Sequence, residues 1–256
     1  MIVSWLSHTL SHTRSITPTL LKSLVDMLLP PNCLLCGTEV SQERGLCSKC
    51  WPQILFITKP QCLRCGLPFF DQTGMTLCGS CIISPPPYTQ ARAAIAYNDA
   101  CRILITRFKR WDRTDFAPTF ARWIIHSNAL SLLENCDVFV VVPLHPYRLF
   151  TRRFNQSVLL AKEMSKVVKR PVLTHILQRR HRGTSQVGLN VQARLRNIRG
   201  LFHLCPRSHE QIKKRRVVLI DDILTTGATV SECTRILLQA GAKQVSVVTL
   251  ARTAIM

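Results

Sequence analysis

Two adjacent carboxylates, Asp221 and Asp222, close the apolar run 217–220, and Thr225, Thr226, Gly227, Ala228 and Thr229 follow almost at once. Backbone N–H groups and threonine hydroxyls at the start of a helix suit a phosphate dianion, and Gly227 lets the backbone approach it without a Cβ. Carboxylates beside such a loop would repel its anion unless they face something else: sugar hydroxyls, a cation, or both. The combination points to a ribose 5-phosphate moiety, with phosphate in the loop and the diol on the acids. An ordinary capped strand–turn–helix is the plain alternative.

Far upstream, eight cysteines form four CxxC pairs, Cys33/Cys36, Cys47/Cys50, Cys62/Cys65 and Cys78/Cys81, separated by ten, eleven and twelve residues. Two thiolates at this spacing can turn back onto one ion, and four close a tetrahedral site with no open position, which makes it structural. The pattern predicts two structural zinc ions. A disulfide framework is disfavoured in a reducing compartment, and iron–sulfur ligation uses other spacings. Near-equal gaps favour consecutive ribbons, while the spacing alone leaves an interleaved cross-brace open. Cys101, Cys136, Cys205 and Cys233 lack such partners and read as ordinary cysteines.

Elements must position these groups. Short apolar runs alternate with helical patterns: strands at 93–97, 137–142, 217–220 and 244–251, and helices at 101–111, 118–133, 155–169 and 230–240, the last ended by Gly241. Near-continuous Val/Ile strands alternating with helices predict an α/β fold, a parallel sheet covered on both faces. "SPPPY" at 84–88 stiffens the chain and marks a boundary. The expected organisation is therefore an N-terminal amphipathic helix within 1–30, a double zinc-ribbon module at 31–84 and the α/β domain at 85–256. The helix, 16–29, is too short to cross a bilayer; it is expected to dock on the protein body, a membrane surface being its other fitting partner.

Lys+Arg outnumber Asp+Glu by 34 to 14, a field that favours polyanions such as nucleic acid, phosphorylated small molecules or an acidic membrane surface. Residues 176–216 hold eleven Lys/Arg against the single acidic Glu210. Residues 1–84 carry only six against four acids, so the cysteine module is no DNA clamp by charge. No basic stretch precedes a long apolar core and a small-residue cleavage site, so a cytoplasmic location is expected, with membrane association through the N-terminal helix as its variant.

"VVLIDDILTTGATV" (217–230) resembles the signature of type I phosphoribosyltransferases, which bind phosphoribosyl pyrophosphate (PRPP) with Mg²⁺. With "PLHPYRLFTRRFNQS" (143–157), "RRHRGTSQVGLNVQARLRNIRGLF" (179–202), "LART" (250–253) and the CxxC pairs, the chain resembles the ComF family over roughly 20–253. The family includes competence and GntX-type proteins linked to DNA use.

The resemblance implies a role in DNA uptake, natural transformation or use of external DNA. It also implies PRPP with Mg²⁺ as ligand, and single-stranded DNA and DNA-uptake proteins as partners, with a peripheral inner-membrane surface as a further one. Asp221 and Asp222 would be the catalytic acids on the ribose hydroxyls, and Thr225, Thr226, Gly227, Ala228 and Thr229 the phosphate loop. Leu144, His145, Arg148 and Arg152 would belong to a pyrophosphate loop after strand 137–142. Thr184, Gln186, Arg194 and Asn197 would belong to a basic hood, and Lys109 resembles a family lysine. Asn155 and Gln156 equally suit capping of the next helix. Arg153 stands where a glycine commonly precedes "FNQ", so a departure is expected in that loop's backbone.

The implied chemistry is pentosyl transfer from PRPP through an oxocarbenium-like state, with positioning and charge stabilisation supplied by the protein. No residue is assigned to the acceptor. Two other readings stand beside it: a non-catalytic factor for single-stranded DNA with a regulatory nucleotide pocket, and a PRPP-sensing regulator.

Overall fold

The computed structural model describes residues 31–41, 45–69, 74–110, 113–180 and 200–253. Five parallel strands form its sheet: β1 (Ala91–Ala96), β2 (Val138–Val141), β3 (Val172–Leu173), β6 (Arg216–Leu224) and β7 (Gln244–Arg252), in the order β1-β7-β6-β2-β3. A separate antiparallel pair, β4 (Leu177–Arg179) and β5 (Phe202–Leu204), flanks the 181–199 segment. Both sheet faces are buried, which explains the apolar continuity of the strands. Val218 and Ile220 belong to one core with the helices α2 (Asp99–Phe108), α3 (Ala117–Ile125) and α6 (Gln156–Val168). Val217 and Leu219 belong to the other, with α8 (Ala228–Gln239) and the β4–β5 pair.

The cysteine module straddles this sheet. Cys33 and Cys50 join the core on the α2/α3/α6 face, and Cys62, Cys65, Cys78 and Cys81 join the core on the opposite face. Between them, residues 55–57 run antiparallel along β1: Ile57 N–H donates to Ala94 O at 2.9 Å, and Ala96 N–H donates to Leu55 O at 2.8 Å. After the short helix α1 (Gly79–Ile83), the proline run leads the chain into β1.

Several expected boundaries shift for local reasons. The single helix expected at 118–133 is two, α3 and α4 (Leu130–Glu134). Ser127 Oγ donates to Ile124 O at 2.7 Å and accepts from Ala129 N at 3.2 Å, drawing backbone groups out of the helical ladder. The loop expected after strand 137–142, reaching to Arg152, is cut short because Pro146 opens α5 (Pro146–Arg152), a position where its missing N–H costs nothing. Strand 217–220 continues to Leu224, since β7 keeps pairing with it through Leu224↔Arg252. The short helix α7 (His209–Ile212) lies between β5 and β6. The 16–29 helix lies outside the described residues. Among the described residues, no helix is long and apolar enough to cross a membrane.

Candidate functional site

β2 connects through α6 to β3 on one side, and β6 connects through α8 to β7 on the other. The crevice at the carboxyl ends of β2 and β6 is therefore the topological switch point, the usual ligand position in an open parallel sheet. The β2–β6 ladder ends at Val141↔Ile220, one residue before the acids. Asp221 and Asp222 thus lie inside β6 on its β7 side and open towards the gap on its β2 side.

Two side chains from distant segments, and one backbone N–H of the pair itself, converge on them. Lys109, the C-cap of α2, places Nζ 2.6 Å from Asp222 Oδ2. Ser157 Oγ donates to Asp221 Oδ1 at 3.4 Å, and Asp222 N–H donates to the same oxygen at 2.9 Å. Burial pushes the Asp221 carboxyl up to about 8, with the charge of Asp222 adding to the rise. The Asp222 N–H, Lys109 and Ser157 oppose it. The pair is thus a first carboxyl ready to hold a proton beside a second neutralised by an ammonium.

The phosphate-loop candidates follow on the same strand. Gly227, at φ 76°, is the N-cap of α8, and the first helical bond runs from Ser231 N to Gly227 O at 2.9 Å. Thr226 Oγ1 accepts from Ala228 N at 3.4 Å. The Thr229 N–H lies in the first turn, where a helix offers no internal acceptor, and that turn contains no acidic side chain. The positive end of α8 is therefore not offset by an acid of its own first turn.

On the β2 side, His145 caps α5 by accepting from Tyr147 N at its Nδ1, 3.2 Å away. Leu144, Asn155 and Arg179 line a cavity of about 910 Å³ next to it. Burial lowers the Arg152 guanidinium, Arg148 lowers it further and Asp222 opposes, which ties Arg152 electrostatically to Asp222. Arg153 is left-handed at φ 62°. A glycine would serve that conformation without a Cβ, and Arg153 bears it at a cost of about 1 kcal/mol. Asn155 does cap α6: Oδ1 accepts from Ser157 N at 2.9 Å while Nδ2 donates to Val142 O at 3.0 Å, tying the β2 exit to the helix that carries Ser157. Gln156 follows it into the core, buried at 1% exposure. The hood residues Thr184, Gln186, Arg194 and Asn197 lie outside the described residues.

The cysteines assemble consecutively: Cys33, Cys36, Cys47 and Cys50 in one cluster, Cys62, Cys65, Cys78 and Cys81 in the other, with the sulfurs of each within 4.8 Å of one another. Cys36 Sγ lies 3.7 Å from Cys47 Sγ, and Cys65 Sγ lies 3.6 Å from Cys78 Sγ. These spacings match the edge of about 3.8 Å set by Zn–S bonds of about 2.3 Å in a tetrahedron. Backbone N–H groups also point at the sulfurs, as from Cys47 to Cys33 at 3.3 Å and from Cys78 to Cys62 at 3.4 Å. Burial works against the Cys62 thiolate, yet N–H groups of Cys65, Cys78 and Arg64 bring it down to about 6. Both sets fit zinc.

Sequence reasoning singled out Lys109 without its partner, and missed Ser157 as a contact of Asp221. Its only signal was a place in "FNQS", beside the residues suited to capping.

Comparison with known proteins matches residues 24–82 to the double zinc ribbon domain and residues 155–255 to the phosphoribosyl transferase domain. The chain is 31% identical over 227 residues to Competence protein F of Haemophilus influenzae, covering 86% of this chain and 96% of the relative. It is 31% identical over 233 residues to DNA utilization protein YhgH of Escherichia coli K12, covering 89% and 99% respectively. Competence protein ComFC of Bacillus subtilis is 27% identical over 250 residues, at 86% and 95% coverage.

Proposed function

The chain belongs to the ComF family, and from that premise we propose that it binds PRPP with Mg²⁺ and serves DNA uptake or the use of external DNA. The competence and DNA-utilization names of these relatives support the DNA role. The observation that carries the ligand is the juxtaposition on one strand end: a cation-held acid pair at the switch point, followed within seven residues by a helix N-terminus free of acids.

In this reading the ribose diol sits on Asp221 and Asp222, and the 5-phosphate on Thr225, Thr226, Gly227, Ala228 and Thr229. The two carboxylates offer the hard oxygen donors that suit Mg²⁺. Held there, Mg²⁺ would supply charge neutralisation to the pyrophosphate of PRPP. Asp221 and Asp222 favour the positive sugar that develops as the bond to pyrophosphate breaks, and Arg148 and Arg152 favour the leaving anion. Lys109 holds Asp222 in place by its ion pair, beside Asp221, which burial makes slow to ionise. Pentosyl transfer to a base or amine is the reaction this arrangement serves.

Calorimetric titration of Mg·PRPP into wild type and the Asp221→Asn/Asp222→Asn variant tests it. Wild type is expected to bind and the variant to lose at least about tenfold in affinity; no binding by wild type, or equal binding by both, sinks the assignment. The pH dependence has a definite sign. Below about 8 Asp221 keeps its proton, and a ligand that favours the carboxylate expels it. Affinity therefore rises with pH towards about 8 and then levels, by at most about tenfold per pH unit. Stability without ligand runs the other way, falling as pH rises from the ordinary carboxylate value towards about 8, because the folded state holds a proton the unfolded chain gives up.

A second reading, direct handling of single-stranded DNA, draws on α5. Tyr147 and Phe150 are 70% and 84% exposed, three residues apart on one helix face, with Arg148 and Arg152 beside them. Exposed rings among arginines suit stacked bases and their phosphates. Anisotropy with a labelled oligonucleotide is expected to show affinity falling with salt, and about tenfold weaker binding by Tyr147→Ala/Phe150→Ala. A flat salt response and an indifferent variant would remove this reading.

A further inference from the structure

The second cysteine cluster is joined to the phosphate loop by a continuous set of bonds. Arg252, the last residue of β7, is 5% exposed. Its Nη1 donates to Cys65 O, and its Nη2 donates to Cys65 Sγ at 3.4 Å. The Arg252 backbone lies in register with Leu224, the residue before Thr225, and Thr253 N–H donates to Leu224 O at 3.0 Å. A second connection comes from the same knuckle. Arg64 Nε donates to Tyr88 O at 3.4 Å, and Tyr88, 3% exposed, packs its hydroxyl over Gly227, 3.6 Å from where a Cβ would stand. Cys65, Tyr88, Arg252 and the loop residues Thr225, Thr226 and Gly227 line one cavity of about 360 Å³.

The geometry points to Arg252 as a positioning residue through which zinc at the second cluster sets the phosphate loop, so that metal and ribose phosphate bind cooperatively. A Cys65 fixed by metal gives the guanidinium a fixed carbonyl and sulfur. The guanidinium then fixes the end of β7, and β7 fixes the Leu224–Thr225 step. If the metal leaves, Cys65 moves, and both Arg252 and Tyr88 lose their anchor. Coupling between two binding sites is reciprocal, so ligand in the loop must also strengthen zinc at this cluster. Among the described residues the first cluster shows no such route: Arg107 Nη1 bonds the carbonyls of Leu34 and Leu35 at 2.9 and 2.8 Å, not a ligand sulfur.

The inference rests on the loop holding a 5-phosphate, and the test separates the two. Full-length protein carrying two zinc ions is equilibrated with a graded chelator, with and without saturating ribose 5-phosphate. One of the two ions is expected to resist chelation about five- to tenfold more when the sugar phosphate is present, the usual scale of such coupling. Arg252→Met is expected to keep two ions, abolish that protection and weaken ribose 5-phosphate about tenfold, with Arg252→Lys in between. If wild type does not bind ribose 5-phosphate, the loop assignment fails and the coupling falls with it. If wild type binds but neither ion is protected, the coupling alone is overturned. Should Arg252→Met not fold, the wild-type chelation shift decides by itself.

Discussion

The two zinc ribbons have the same ligand set and nearly the same spacing, yet the structure treats them differently. The second has all four cysteines buried and clamped between β1, β7 and the phosphate loop. The first leaves Cys36 exposed and Cys47 half-buried, and leans on helices through Arg107 and an open aromatic cluster of Trp51, Phe56 and Trp123. Ring centroids there lie 5.4 Å apart for Trp51–Phe56 and 5.6 Å for Phe56–Trp123. Identical coordination chemistry therefore does not imply identical roles; what each knuckle touches decides its share in the site.

The largest expected contrast comes from removing one ligand of each cluster. Cys78→Ser should lose one zinc per chain, lower Tm by roughly 10 °C or more and weaken ribose 5-phosphate at least about tenfold, because structural zinc supplies folding energy directly. Cys36→Ser, at the exposed corner, should lower Tm by about half as much and leave sugar-phosphate affinity within about threefold. Zinc content, thermal unfolding and calorimetry read these together, and matching losses in both variants would erase the distinction.

A smaller contrast uses the two left-handed glycines that follow the CxxC pairs. A Cβ at Gly37 meets nothing within 4 Å, whereas one at Gly66 would sit 2.5 Å from Ala91 O, so the second knuckle abuts β1 backbone to backbone. Both have positive φ, 84° and 70°, so each alanine variant bears about 1 kcal/mol of backbone strain. Gly66→Ala should cost a further 1–3 kcal/mol, roughly, for the collision, and Gly37→Ala should not. Denaturant midpoints of the two variants measure the difference, and equal midpoints would mean the second ribbon is not seated as described.

The parts of this arrangement that were legible in the sequence are those written within a few residues of each other. The CxxC pairs and the "DDILTTGAT" run each place their groups by local geometry, so both ligand clusters and the order of acids and loop could be read directly. Near-equal gaps favoured the consecutive pairing but left a cross-brace open; the structure shows the consecutive one. The contacts that turn the motifs into a site are long-range: Lys109 meets Asp222, Ser157 meets Asp221 across 64 positions, and Arg252 meets Cys65 across 187. No periodicity encodes such pairings, because they arise only when the sheet order is fixed. Ser127 likewise gave no warning that it would break a helix, since serine is tolerated in helices until its hydroxyl finds a backbone partner.

The chain between the ribbons, residues 55–57, has a consequence of its own. β1 is the outermost strand of a parallel sheet, and its free side would offer unpaired N–H and C=O groups to any passing strand. Ile57 and Leu55 occupy two of them, Ala94 O and Ala96 N–H, with Phe56 opposite Ile95 between. The cysteine module thus acts as a lid against self-association. A fragment trimmed to begin at β1 would bare a template for intermolecular pairing, whatever became of its ligand site.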